Sequence, residues 1–190
     1  MRSAMVRRLE ILGRPARVEA SEKICKLLLS HPDVINAKTI LIFASDETEP
    51  DLTSLIGSAP DRRTVFPKVE KGGKLSLYEV ANRDTDFEIG AYNLREPIPG
   101  KCPEVELEDI DVVIAPGRAF SDENGARLGR GGGFYDRLLR RARLNSKLIG
   151  TCFRCQIVHP LPVEDHDEAI GTVVTEAGLV TVDGIDGEAS

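Results

Sequence analysis

The sequence predicts an α/β layered domain, and three observations carry that class. Short apolar runs rich in β-branched residues recur along the chain, as buried strands require. Charged stretches with helical spacing of apolar residues alternate with them. Glycine, proline and acidic punctuation separates the two kinds of segment.

Each element follows from its residues. Residues 15–30 read as a helix: Val18, Ile24, Cys25, Leu28 and Leu29 form an apolar face opposite Glu19, Glu22, Lys23 and Lys26. His31-Pro32-Asp33 stops it. Residues 39–44 are apolar and suit a buried strand, with a short helix over 51–56 after it. Residues 64–66, 75–80 and 112–115 read as further strands, and 71–74 as a turn. The glycine-rich stretch 116–133 reads as one long loop, of the kind that is usually functional. Residues 134–143 read as a helix with Leu138 and Leu139 inward, followed by strands over 148–153 and 170–175. The acidic end, 182–190, is expected to fray.

The chain has 190 residues, enough for a core that needs no disulfide or metal staple, and it is expected to form a single domain over 1–190. Its 25 Lys+Arg against 31 Asp+Glu give a formal charge of −6, which argues against a general nucleic-acid binder. No apolar run approaches the ~18–20 residues that cross a bilayer, and the basic start, 1–8, leads into no apolar segment of a secretory signal. A membrane role is therefore not expected. Four cysteines in this length suit a reducing, cytoplasmic compartment. Nothing marks a large apolar association face, so a monomer is the default.

The richest segment for chemistry is Asp122-Glu123-Asn124-Gly125-Ala126-Arg127-Leu128-Gly129-Arg130-Gly131-Gly132-Gly133-Phe134-Tyr135-Asp136. It follows an apolar strand and opens a helix. Glycines let backbone N–H groups approach an anion, and a helix N-terminus adds partial positive charge. Arg127 and Arg130 supply fork-shaped donors suited to phosphate oxygens. Asp136 would repel a bare phosphate, and makes sense there if Mg²⁺ bridges the two. The plainer alternative is a flexible glycine turn with Asp136 favouring the first helical turn.

Known nucleotide fingerprints are absent. No Gly-Lys-Ser/Thr exists for a P-loop, and counting a dinucleotide fingerprint from Gly129 puts Phe134 where its last glycine belongs. Cys152-Phe153-Arg154-Cys155 is a lone Cys-x-x-Cys at the end of a strand-like run, and reads as a coincidence of two structural or half-buried thiols. The run 164–168 could bind a cation, though an acidic run is more often a solvated loop. Neither a Gly-x-Ser-x-Gly elbow nor a His-Glu-x-x-His helix is present, so serine-hydrolase and zincin chemistry are excluded. Glu49 follows the most apolar strand, where α/β folds place their sites, and would otherwise read as a surface glutamate.

Pro116-Gly117-Arg118-Ala119-Phe120, followed by Asp122-x-x-Gly125-x-Arg127-Leu128-Gly129-Arg130-Gly131-Gly132-Gly133-Phe134-Tyr135-Asp136-Arg137, resembles the 5-formyltetrahydrofolate cyclo-ligase family. Phe43-x-Ser45-x-x-x-Glu49, Pro67, Tyr92-Asn93-Leu94-x-Glu96-Pro97, Gln156, Leu161-Pro162, His166-Asp167 and Val174-Thr175-Glu176 agree with it in order. The resemblance implies a three-layer α/β/α sandwich with a mostly parallel mixed central sheet. It also implies an ATP- and Mg²⁺-dependent ligase that closes 5-formyltetrahydrofolate, with or without a polyglutamate tail, into 5,10-methenyltetrahydrofolate. ADP and phosphate leave. A formamide oxygen is a poor leaving group, so phosphorylating it makes ring closure feasible, and such transfer is catalysed mainly by positioning and charge neutralisation.

Carried over by that resemblance, Arg127, Leu128, Gly129, Arg130, Gly131, Gly132, Gly133, Phe134 and Tyr135 hold ATP, with Arg2 as the family's N-terminal arginine. Arg130 and Asp136 are the expected catalytic pair. Asp136 and Asp167 match the family's Mg²⁺ carboxylates. Ala44, Glu49, Arg130, Gly131, Gly132, Gly133 and Phe134 face the folate, with Glu49 accepting hydrogen bonds from the pterin.

Several positions depart from the family pattern. Counting back from Ser21 leaves no residue for the lysine that precedes the Arg2 position, and Arg7 or Arg8 is the candidate substitute. Leu52 stands where the family has threonine, Ser121 reads as a one-residue insertion that lengthens the phosphate loop, and Arg118 replaces an apolar residue. Two other readings stand beside the cyclo-ligase. One is a family member that binds folate or nucleotide without catalysis; the other is an ATP-dependent ligase of a different small molecule.

Overall fold

Alternation along β1 (Thr39–Leu41) decides the layering. Ile40, and Ile42 just beyond the strand, pack with Ile24 and Leu28 of a helix on one face of the sheet. Leu41 packs with Leu138 and Leu139 of a helix on the other. Successive side chains of a strand point to opposite faces, so a strand buried at every position needs helices on both. The computed structural model describes residues 2–70, 74–90, 94–163 and 168–185, and only the backbone of 2–4.

The helices of the first face are α1 (Arg2–Leu12), α2 (Arg14–Ser30) and α3 (Pro32–Asn36). The opposite face carries α4 (Phe134–Ala142). Between them lie β1, β2 (Arg63–Val69), β3 (Leu75–Glu79), β6 (Glu104–Val105), β7 (Val112–Pro116), β10 (Lys147–Thr151), β12 (Thr172–Thr175) and β13 (Gly178–Thr181). Among the described residues they form one eight-stranded sheet in the order β13-β12-β10-β7-β1-β2-β3-β6. The pairs from β12 to β2 are parallel, while β13, β3 and β6 add antiparallel edges. The three-layer α/β/α sandwich with a mostly parallel mixed sheet is thus present.

Strand order creates the site. β1 is first in the chain yet lies mid-sheet; the chain builds β2 and β3 on one side and β7, β10 and β12 on the other. Connections leaving β1 and β7 therefore diverge, opening a crevice at their C-terminal ends. Asp111 fixes the start of this pair, its Oδ2 accepting from the Lys38 and Thr39 amides at 2.8 Å.

Two small sheets flank the crevice. β4 (Phe87–Ile89) and β5 (Arg95–Pro97) form a hairpin, joined to β2 by an edge-to-face contact of Phe66 with Phe87 at 4.9 Å. β8 (Ala119–Ser121) pairs with β9 (Arg127–Leu128) and β11 (Ile157–Val158). Met5 of α1 packs against this second sheet with Ala119, Ala126 and Leu161.

The long loop expected over 116–133 is thus partly a hairpin: β8 and β9 pair within it. Its ordering residues are apolar, Ala119, Phe120 and Ala126, and are too few for a period to show. Ser121 is a buried part of β8, and its hydroxyl accepts from the Glu123 and Asn124 amides at the turn. His31-Pro32-Asp33 ends α2 as expected, but it also starts α3: the His31 Nδ1 accepts from the Asp33 amide. The helix expected over 51–56 is a single 3-10 turn, Thr53–Leu55. The turn over 71–74 lies largely, and the fraying end over 182–190 in part, outside the described residues.

Phe120 locks the β8 sheet to the main one. A Cβ on Gly117 would come within 2.5 Å of its ring, and one on Gly150 of β10 within 2.6 Å. Both positions must be glycine for the ring to enter. Phe120→Ala is expected to destabilise the protein by about 3–5 kcal/mol, and Gly150→Ala by about 1–3 kcal/mol, in urea unfolding. Losses below about 0.5 kcal/mol for both, the size of an ordinary surface change, would contradict this seating.

Candidate active site

The crevice holds a cavity of about 400 Å³, within the size range of small-ligand pockets. Four pieces of chain wall it. The segment after β1 supplies Phe43, Ala44 and Glu49; β2 and β3 supply Pro67, Val69 and Leu75; the hairpin supplies Leu94, Arg95 and Glu96. The fourth piece is Pro116–Arg118 with Arg127 and residues 129–136.

The glycine loop is shaped by backbone geometry. Gly131 has φ 96° and Gly133 φ 64°, in the left-handed region where a side chain is strained. Gly133 is the N-cap of α4, with no side chain capping the helix. The amides of the first turn of α4 are thus left for a ligand, at the positive end of the helix dipole.

Arg130 crosses the crevice. Its Nη2 donates to Glu49 Oε2 at 2.6 Å and its Nε to Glu49 Oε1 at 3.2 Å, a fork-to-fork pair between residues 81 apart in the chain. The Glu49 side chain is only 2% exposed. Burial raises its carboxyl above the ordinary carboxylate range, and the neighbouring Arg130 only partly opposes this. Asp46 stands beside it. Burial raises the Asp46 carboxyl, but hydrogen bonds from Thr48 with the Arg130 and Arg118 charges outweigh that and leave it below its ordinary value. Its Oδ2 lies 3.0 Å from Arg130 Nη2 and 2.9 Å from Arg118 Nη2.

Arg127 is almost wholly buried. It donates to the Pro116 carbonyl at 3.2 Å and forms an ion pair with Asp136 in the first turn of α4. Its Nε and the Tyr135 hydroxyl are buried with no hydrogen-bond partner. Burial drives the Tyr135 hydroxyl far above its ordinary value, so it is a neutral donor. Unpaired buried donors are costly, and two of them at one cavity wall suit an anionic or carbonyl-bearing ligand. A tetra-anion arriving alone would face Asp136 and Glu49. A divalent cation shared between Asp136 and phosphate oxygens would relieve that repulsion. Among the described residues no cluster of three His, Cys, Asp or Glu could hold an ion by protein ligands alone.

Most residues singled out in the sequence converge here: Ala44, Glu49, Arg127, Gly129, Arg130, Gly131, Gly132, Gly133, Phe134, Tyr135 and Asp136 all line the cavity. Leu128 is the exception. Its side chain turns away and packs beside Met5, Ala119 and Ala126. Asp136, expected to ligate a cation, is already paired with Arg127, so any cation there shares it. Asp167 and the side chain of Arg2 lie outside the described residues. Arg7 and Arg8 do not line the cavity, and Arg8 donates to the Cys155 carbonyl instead. Cys152 is fully buried, and burial pushes its thiol well up, in keeping with a structural residue.

Sequence reasoning missed Asp46, Glu96 as a wall residue, and Gln156 as a brace. Glu96 is buried, with Lys68 Nζ 3.3 Å from its Oε2. Gln156 is fully buried and its Nε2 donates to the Gly117 and Arg118 carbonyls at 3.3 and 3.1 Å. The apolar positions on β2 and β3 could have signalled a wall; nothing local marks Asp46. A second concavity of about 300 Å³, between β3, β6 and α4, is lined by Ser76, Glu104, Arg137 and Arg141 among others and contains no part of the glycine loop.

Burial gives the site a pH signature. Glu49 holds its proton more tightly folded than unfolded, so its contribution to stability falls as pH rises above the ordinary carboxylate range. The stability of the wild type relative to Glu49→Gln is expected to fall as pH rises above about 4, by at most ~1.4 kcal/mol per pH unit. Urea unfolding at several pH values checks it, and a relative stability that climbs over that range would contradict the assignment.

Residues 1–176 match the 5-formyltetrahydrofolate cyclo-ligase family. The 5-formyltetrahydrofolate cyclo-ligase of Escherichia coli strain K12 is 32% identical over 162 residues, covering 83% of this chain and 88% of that protein. The protein of the same name from Mycolicibacterium smegmatis is 30% identical over 154 residues, covering 78% and 79%. Among solved structures, the NMR structure of Aquifex aeolicus 5,10-methenyltetrahydrofolate synthetase superposes with a TM-score of 0.82 at 30% identity, covering 100% of this chain and 93% of that one.

Proposed function

The chain belongs to the 5-formyltetrahydrofolate cyclo-ligase family, and from that premise we propose that it converts 5-formyltetrahydrofolate and ATP to 5,10-methenyltetrahydrofolate, ADP and phosphate. The observation that carries this reading is the meeting of a glycine-arginine loop at a helix N-terminus with a buried glutamate in one cavity.

In this reading the formyl oxygen takes the γ-phosphoryl group of ATP, and ADP departs. N10 then attacks the activated formyl carbon, and phosphate leaves as the ring closes. The chain positions and neutralises; it forms no covalent bond to substrate. Amides of residues 129–133 and the start of α4 cradle phosphate oxygens. Arg130 neutralises charge on the group in transfer. The buried Tyr135 hydroxyl donates to a ligand oxygen. Glu49 accepts hydrogen bonds from the pterin, which releases Arg130 toward phosphate. Phe43, Pro67, Val69, Leu75 and Phe134 supply an apolar wall that keeps water from the activated intermediate. Mg²⁺, if held by Asp136 and by Asp167 as the sequence resemblance implies, would neutralise phosphate charge and orient the γ-phosphoryl group.

A cytoplasmic, monomeric single-domain enzyme fits this reading. All four cysteines are free thiols, as a reducing compartment allows. No helix among the described residues is long and apolar enough to cross a membrane. The substrate in this reading is 5-formyltetrahydrofolate with or without a polyglutamate tail.

A mixed assay tests the proposal. Protein, 5-formyltetrahydrofolate, ATP and Mg²⁺ are followed by the near-ultraviolet absorbance of the methenyl product, with ADP counted in parallel. Product and ADP rise one for one if the reading holds; ligand binding without either would favour a non-catalytic folate or nucleotide binder. Arg130→Ala is expected to lower turnover about 10²-fold or more, the usual scale for losing one charge-stabilising donor, with its circular dichroism unchanged. Near wild-type turnover would remove Arg130 from this role.

A further inference from the structure

Arg118 stands at the turn between β7 and β8, held from both sides. Its amide donates to the Leu128 carbonyl at 2.8 Å, and its carbonyl accepts from the buried Gln156 at 3.1 Å. Its side chain lines the cavity and is 21% exposed. The Arg118 Nη2 sits 2.9 Å from Asp46 Oδ2, the same oxygen that Arg130 Nη2 approaches at 3.0 Å. One carboxylate thus draws two guanidinium groups together, although they repel each other. The other Asp46 oxygen is held by the Thr48 amide and hydroxyl, so Asp46 is fixed and does not itself line the cavity.

Once Glu49 is engaged by another ligand, Asp46 alone faces two guanidinium groups, and the pair carries surplus positive charge. Two fork-shaped donors beside an uncapped helix N-terminus suit the oxygens of a polyphosphate. We infer that Arg118 is a second cationic arm of the phosphate site, binding phosphoryl oxygens beside Arg130, and that Asp46 is the positioning residue that aims both. This rests on the reading of the cavity as the ATP site. Arg118 also supplies, from the middle of the chain, a cation that neither Arg7 nor Arg8 brings to the cavity.

Calorimetric titration with ATP and with AMP, both with Mg²⁺, separates the possibilities. Arg118→Leu keeps the apolar stem and removes the fork. It should weaken ATP binding about tenfold or more and AMP binding less than about twofold, within the scale of an untouched contact. Binding of 5-formyltetrahydrofolate without nucleotide should stay unchanged, which reports an intact cavity. Asp46→Asn should also weaken ATP binding, and by a smaller factor when Arg118 is already Leu, a coupling that a general structural lesion would not produce. Arg118→Lys keeps the charge but loses the fork, and decides the case if the Leu variant does not fold: it should lose ATP affinity severalfold and keep AMP affinity. ATP affinity unchanged in the Arg118 variants, or ATP and AMP weakened alike, overturns the inference alone. A wild type that binds no ATP overturns the cavity reading and this inference with it.

Discussion

Parallel strands force their connections to the same end of a sheet, and where strand order reverses two connections must part. In this protein that happens between β1 and β7. The segment leaving β1 runs to Glu49, and the one leaving β7 turns through Gly117 and Arg118 into the β8–β9 hairpin. The crevice left between them is bridged by side chains, because backbone pairing cannot cross it. Arg130 to Glu49, and Arg118 and Arg130 to Asp46, are those bridges. The glycine loop, the start of α4 and the apolar wall of β2 and β3 all take their positions around this gap.

The bridges are poor devices for stability. Burying a glutamate to 2% exposure carries a desolvation cost of several kcal/mol, which an ion pair repays only in part. The rise of the Glu49 carboxyl and the two unpartnered donors at Arg127 and Tyr135 express the same debt. A structural core of this size would do better with packed apolar groups. The arrangement makes sense as a site awaiting partners: a ligand that hydrogen-bonds Glu49 and Tyr135 and offers anionic oxygens to the arginines satisfies the groups that folding leaves strained. The packed surroundings, Phe120 seated against Gly117 and Gly150 and Gln156 tied to two carbonyls, hold those groups in place until it arrives.

Legibility in the sequence followed the physics of each element. β1, β7, β10 and β12 are buried on both faces, so their runs of Ile, Val and Leu announce them. α2 shows its apolar face at Ile24, Cys25 and Leu28. The two-residue strands β6, β9 and β11 carry no period, since edge pairing alone creates them. α1 escaped notice because it buries only Met5 and Leu9 among its described side chains and leaves Val6 and Ile11 exposed, which blurs its face. The glycine-arginine loop was readable as an anion cradle from composition. Its counterpart was not: Asp46 lies 72 residues from Arg118, and nothing local distinguishes it from any acidic turn residue. Leu128 misled for the converse reason, since a motif names consecutive residues while a strand turns alternate ones away from the site.

The proposed function requires both ligands to meet in the crevice between β1 and β7. A titration of isotope-labelled protein by NMR tests it most directly. Adding ATP with Mg²⁺ should shift the amides of Gly117, Gly129 and Gly131–Gly133 most, and adding 5-formyltetrahydrofolate should shift those from Ala44 to Glu49. Shifts concentrated instead around Ser76, Glu104 and Arg141, in the second concavity, would contradict the claim.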